Sequence, residues 1–112
     1  MEKIIKIDGK DVGFKCPASF PIRYKALCGR DFFADTARLG AVKDDVMQLD
    51  SQIIYDMTHC MARCYDPKIP ADPADWVDSF ESFSVFEVFG DLQDIINSSI
   101  GSGDEKNLKA AE

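Results

Sequence analysis

His59 is the chain's one histidine. It stands beside Cys60 and four residues before Arg63, with Cys64 one helical turn beyond Cys60. Two chemistries could be built from these residue types. A Cys–His enzyme would take a thiolate nucleophile from a distant cysteine and activate it with the imidazole. A metal site could use His59, Cys60 and Cys64, because a step of four in a helix brings two sulfurs to one side. Structural zinc, however, takes four ligands in paired short spacings, and the remaining cysteines, Cys16 and Cys28, form no such pair. Cysteine in an apolar helical stripe behaves as a small hydrophobe. The expectation is therefore no metal, no cofactor and no nucleophilic catalysis.

The carboxylates Asp72, Asp75, Asp78 and Glu81 crowd into one short stretch. Paired acids serve general acid–base work or calcium, but no glycine-punctuated calcium loop accompanies them. Acids at a helix start more often cap it and complement its dipole. With no phosphate-cradling glycine loop and no Gly-x-Ser-x-Gly elbow, the chain reads as a non-enzyme. The strongest remaining constellation is aromatic. Trp76, Phe80, Phe83, Phe86 and Phe89 follow one another at steps of four, three, three and three. Most of this ridge is expected in the core. Any part left outside, with soft methionines beside it, would form an adaptable groove for an apolar or helical partner. The candidate partner-binding residues are Met47, Met57, Met61, Phe83, Phe86 and Phe89.

The elements that must position these residues follow from periodicity and punctuation. Ile5 and Ile7 alternate with Lys6, Asp8-Gly9-Lys10 supplies turn chemistry, and Val12 and Phe14 alternate on the return, which predicts a β-hairpin. A lone hairpin is marginal in water, so its apolar face must lie on helices. Ser19 and Pro21 open a helix that Gly29 stops, and Asp31 caps a second one carrying Phe32, Phe33, Ala37 and Leu39, with Gly40 as its stop. From Asp44 or Asp45 to Cys64, the residues Val46, Leu49, Ile53, Met57, Cys60 and Cys64 share one face and predict a long central helix. Three prolines between Asp66 and Pro73 make a stiff connector. Asp72 caps a helix bearing Trp76, and Ser84 opens the last helix with capping-box spacing to Glu87. The fold class expected is α+β, predominantly α: an N-terminal β-hairpin packed on a small bundle of four to five helices. Residues 1–100 read as a single globular domain and 101–112 as a flexible polar C-terminal tail.

A length of 112 residues suits one modest core. No apolar run approaches the ~20 residues of a membrane span, and no signal-peptide core follows Met1, so a cytoplasmic protein with reduced cysteines is expected. The net charge of −7 is uneven. Residues 1–30 sum to +4, 31–65 to −3, 66–94 to −7 and 95–112 to −1. An acidic rear of this size argues against nucleic acid and anionic membranes as partners, and the asymmetry favours a protein partner or self-association.

The order of features resembles a known family. A hairpin around Ile7-Asp8-Gly9-Lys10 ends in Phe14-Lys15; Pro21-Ile22-Arg23-Tyr24 and Gly29-Arg30-Asp31 follow; Asp66-Pro67-Lys68-Ile69-Pro70 precedes Asp75-Trp76-Val77-Asp78 and Phe80. Over roughly residues 4 to 96 this resembles the small tail assembly chaperones of long-tailed (siphovirus-type) bacteriophages and prophages of Gram-positive bacteria. The four cysteines and Phe20 ahead of Pro21 depart from that pattern. The resemblance implies a non-catalytic protein of the bacterial host cytoplasm that shields the tape measure protein, a long helical chain with apolar segments, during tail assembly. The tail tube protein would be a further partner, and the chaperone would be absent from the mature virion. Two other functions fit the residues: a structural tail completion or connector protein retained in the virion, or an acidic inhibitor that binds a host protein. The resemblance also implies a longer product made by a minus-one ribosomal frameshift. Glu105-Lys106-Asn107 permits the slippery heptamer A-AAA-AAC, and the tail around Gly101-Ser102-Gly103 would then tether an appended domain.

Overall fold

The computed structural model describes residues 2–42 and 50–98. Strands β1 (Glu2–Ile7) and β2 (Lys10–Lys15) pair antiparallel, with Ile5 opposite Val12 and Ile7 opposite Lys10. That register leaves two residues for the turn. Both have positive φ, Asp8 at 54° and Gly9 at 75°, the combination that matches the twist of a tight hairpin and that Asp-Gly adopts at least cost. Ile5, Ile7 and Phe14 are buried on one face, while Ile4 points outward.

Five helices follow among the described residues: α1 (Phe20–Cys28), α2 (Phe32–Val42), α3 (Ser51–Tyr65), α4 (Pro73–Val77) and α5 (Val85–Ile96). The molecule is thus α+β and mainly α. Helix α3 is its centre, in contact with β2, α1, α4 and α5, while α5 also covers β1. Tyr65, at the end of α3, lays its ring where a side chain at Gly13 would stand, so the glycine allows β2 and the end of α3 to close together. Lys3 reaches across to α5, donating to the Asp91 carbonyl at 2.6 Å and pairing with Asp94 at 3.1 Å.

Local signals set the helix ends, with some departures from expectation. Gly29 takes φ 83° and donates its N–H to the Lys25 carbonyl, closing α1 as expected of a left-handed cap. Asp31 accepts from Ala34 N at 2.8 Å at the start of α2. Ser19 occupies the N-cap of α1, but its hydroxyl is taken by Arg23 Nε at 2.9 Å and caps no backbone N–H. Ser84 is likewise an N-cap without a side-chain cap bond; its carbonyl instead accepts from Val88 N at 3.0 Å.

Two boundaries differ from the sequence reading. Gly40 does not stop α2, which runs on to Val42: a glycine inside a helix costs only about 1 kcal/mol and breaks nothing by itself. The long helix does not begin near Asp44 either. Asp50 has extended backbone, and its carboxylate accepts from Gln52 N at 3.0 Å, so α3 starts at Ser51. Val46, Met47 and Leu49 lie outside the described residues, as does the whole of 101–112.

The core is strongly aromatic. Phe20, Tyr24 and Phe32 pack ring on ring at 5.1 to 6.0 Å where α1 meets α2. Trp76 meets Phe14 edge-on at 6.3 Å, which joins α4 to the hairpin. The hairpin tip holds the segment after α4 by polar means. Asp8 accepts from Glu81 N at 3.0 Å, and Lys10 Nζ sits 5.5 Å from the centre of the Phe80 ring.

Candidate functional site

Helix α3 carries the histidine and both neighbouring cysteines, and its packing decides what each can do. His59 is fully buried and its Nε2 lies 2.7 Å from the Pro70 carbonyl. A carbonyl only accepts, so Nε2 carries the hydrogen and Nδ1 presents a lone pair, which has no partner among the described residues. Burial is the main cause that lowers the His59 pKa from its ordinary value, with the Arg63 charge acting the same way against the Pro70 bond. Arg63 donates to the Ile69 carbonyl at 2.6 Å. Two side chains one turn apart on α3 thus clamp the proline-rich connector. The histidine's visible work is to seat the chain between α3 and α4.

Cys60 and Cys64 stand one helical turn apart and line one groove, but His59 is committed to the Pro70 carbonyl and does not join them. Among the described residues, no three of the His, Cys, Asp and Glu side chains are grouped as a metal site. Cys16, Cys28, Cys60 and Cys64 all carry thiols. The acids of the 72–81 stretch do not converge on a shared centre. Asp72 caps α4 by accepting from Ala74 N at 2.9 Å, while Asp75, Asp78 and Glu81 are exposed.

The six candidate contact residues separate sharply. Met57 and Met61 are 1% and 0% exposed and belong to the core, so they form no docking surface. The physical reason is the number of elements around α3: with α1, β2 and α5 all packed on it, the face that methionine would soften is already filled. Met47 falls outside the described residues. Phe83 and Phe89 are half-buried, and Phe86 is 51% exposed.

Phe83 spends one side of its ring on Trp76 and Phe80, at 5.3 and 5.5 Å between ring centres, and also stacks on Tyr55 at 6.3 Å. Tyr55 in turn lines a groove of about 340 Å³ between α3 and α4, together with Gln52, Asp72, Pro73, Ala74, Val77 and Asp78. On α5, Phe86 is exposed and Phe89 half-buried, and Glu87 and Asp91 of the same helix are exposed. These helices leave aromatic area uncovered and also expose carboxylates.

Comparison with protein-family models, with curated proteins and with solved structures finds no match. The reading of this surface therefore rests on its own chemistry. Aromatic side chains offer large contact area, and the carboxylates beside them favour a partner that carries positive charge around an apolar stripe. Tyr55 escaped the sequence reading because it lies outside the phenylalanine series, and Val77 is read there as part of the buried face of its helix rather than as a groove residue. The signal for Tyr55 was spacing, since it is one turn from Ser51 and Gln52 on the polar side of α3 rather than in its apolar stripe.

A polar cluster was missed as well. Arg30, just past α1, donates to Asp35 of α2 at 2.9 Å and to Asp56 of α3 at 2.6 Å, and its Nη2 also reaches the Tyr24 hydroxyl at 3.1 Å. Tyr24 completes the cluster by donating to Asp35 at 2.6 Å. Tyr24, Asp35 and Asp56 are buried. Burial first, then the bond to Asp35, pushes the Tyr24 hydroxyl well above its ordinary pKa, so it stays a donor. The outer oxygen of Asp56 takes Gln52 Nε2 at 3.0 Å. None of the buried polar side-chain atoms of Tyr24, Asp35 and Asp56 lacks a partner, and the cluster braces three helices together.

Proposed function

We propose that this chain is a non-catalytic tail assembly chaperone of a long-tailed phage or prophage, acting in the bacterial cytoplasm on apolar helical segments of a tape measure protein. The observation that carries the reading is aromatic area left uncovered at Phe86 and in the groove that Tyr55 lines, on elements that also expose Asp78, Glu87 and Asp91. It is supported by the order of hairpin, Pro21-Ile22-Arg23-Tyr24, Gly29-Arg30-Asp31, proline connector and Asp75-Trp76-Val77-Asp78 along the chain. No helix among the described residues is long and apolar enough to cross a membrane.

The physics suits a holding role. A chaperone of this kind must cover apolar helix and then let it go when tube subunits arrive, so a few aromatic contacts on a wet acidic border serve better than a deep pocket. Affinity then comes from partial desolvation of Phe86, Phe89 and Tyr55, and it stays moderate because Phe83 is already half spent on the core.

The test is co-expression with the tape measure protein of the same phage. A soluble complex on gel filtration that is lost with Phe86→Glu supports the reading. A tape measure protein that is as insoluble with the chain as without it overturns the reading. Recovery of the chain from purified particles would instead make it a tail component.

A further inference from the structure

A second surface holds Cys60 and Cys64, one helical turn apart on α3. It is a groove of about 520 Å³ where α1 and the end of β2 approach α3, lined by Lys15, Arg23, Arg63, Cys60 and Cys64 over an apolar floor that includes Leu27. Three cationic side chains border it, and no carboxylate of the described residues lines it. Arg23 and Arg63 make no ion pair among the described residues, and Lys15 is paired only loosely, 3.9 Å from Glu2. Cys60 is buried, whereas Cys64 is partly open to the groove.

We propose that this groove is a thiol-modification site, in which Cys64 forms a mixed disulfide with a small disulfide whose carboxylates are held by Lys15, Arg23 and Arg63. The residues divide the work between them. Cys60 beside it is the first cause that favours the Cys64 thiolate, and the surrounding Arg23, Lys15 and Arg63 charges act in the same direction. Together they hold Cys64 below an ordinary thiol, against the opposing effect of burial. Cys60, pushed upward by its neighbour Cys64 and by burial, stays protonated and shielded.

In the exchange, the Cys64 thiolate attacks one sulfur of the small disulfide and its electron pair forms the new S–S bond. The old S–S bond breaks, and its electron pair leaves on the other half as a thiolate, which takes up the proton Cys64 released. No further oxidant is needed. The groove selects among disulfides by charge, since carboxylates are attracted by three cations and ammonium groups are repelled.

This inference is independent of the chaperone role, and its test uses the full chain alone. The purified, reduced protein is treated at pH 7 with oxidised glutathione or with cystamine, a cationic disulfide, and followed by intact mass and peptide mapping. The expected result is one glutathione adduct, on Cys64, forming about tenfold faster than the cystamine adduct. Cys64→Ser should remove it. Arg23→Glu, a change at an exposed position, should remove most of the preference while leaving the circular dichroism spectrum unchanged. Equal rates with the two disulfides, an unchanged ratio in Arg23→Glu, or an adduct that maps to another cysteine would each overturn the proposal.

Discussion

The Arg30 guanidinium donates to the Asp56 carboxylate at 2.6 Å, joining the α1–α2 link to the middle of α3. The same guanidinium holds Asp35 at 2.9 Å, so one cation serves two buried acids. Removing it leaves both carboxylates in the interior with reduced compensation, and breaking such a cluster from one side costs about 3 kcal/mol. Arg30→Met should therefore lower the urea midpoint strongly with little change in the slope of the transition. Arg30→Lys keeps the charge but cannot fork between two carboxylates, and should fall between Met and the native protein. Midpoints for Arg30→Met indistinguishable from the native value would show that the brace contributes nothing.

Phe14 is the hairpin's anchor. It is 0% exposed and meets the edge of Trp76, which makes it the point where β2, α3 and α4 share one contact. Phe14→Ala should cost about 3 kcal/mol, the usual loss for emptying an aromatic site. Because Trp76 is itself buried among Phe14, Phe80 and Phe83, the same variant should shift its fluorescence toward that of exposed indole. A native-like emission maximum combined with full stability would mean that the hairpin is dispensable to the core.

The hairpin was legible because alternation and Asp8-Gly9 signal the same register independently, and Gly29 was legible because a left-handed cap demands its residue type. The start of α3 was not. Val46 and Leu49 are in phase with Ile53 and Met57, so periodicity runs straight through Asp50, and an acid there fits a solvated helix face as well as an N-cap. Periodicity also shows which face of α3 is apolar but not how many elements cover it. Met57 and Met61 could be placed on the right stripe and still be assigned wrongly to the surface. Buried Asp35 and Asp56 belong to a third kind of feature. Each is unremarkable in its own helix, and only the folded arrangement brings both to Arg30. Of the candidate contact residues, Phe86 was readable as a member of a crowded aromatic series, while its exposure depended on α5 turning Val85, Val88 and Leu92 inward.

Phe86 should be energetically quiet in the isolated protein. At 51% exposure its truncation to Ser removes little burial, and a change within about 0.5 kcal/mol is expected. The same substitution should weaken capture of an amphipathic helical peptide with a basic border, read by fluorescence anisotropy. Truncation of Phe83 differs because that ring also packs on Trp76, Phe80 and Tyr55, so Phe83→Ala should reduce stability and binding together. If Phe86→Ser leaves peptide affinity unchanged, α5 is not the binding face.

His59 makes stability depend on pH in a direction that follows from its surroundings. Its Nε2–H is committed to Pro70 at 2.7 Å, so acid must protonate the orphaned Nδ1, inside the protein and near the Arg63 charge. Burial is the largest cause and lowers the native pKa. The Pro70 bond and the carboxylates of Asp56 and Asp72 pull it back only in part. The unfolded chain, by contrast, takes its proton at about 6.5. Between that value and the native pKa the unfolded state binds a proton that the native state refuses. The stability due to neutral His59 is thus fully present above about pH 6.5 and is lost as pH falls below it, with a slope approaching about 1.4 kcal/mol per pH unit. Urea denaturation at a series of pH values from 7.5 down to 5 should show this loss. His59→Gln, whose amide N–H can still donate to Pro70 but does not titrate, should be less stable at neutral pH and flatter with pH. Parallel profiles for the two proteins would mean that His59 accepts its proton as easily folded as unfolded.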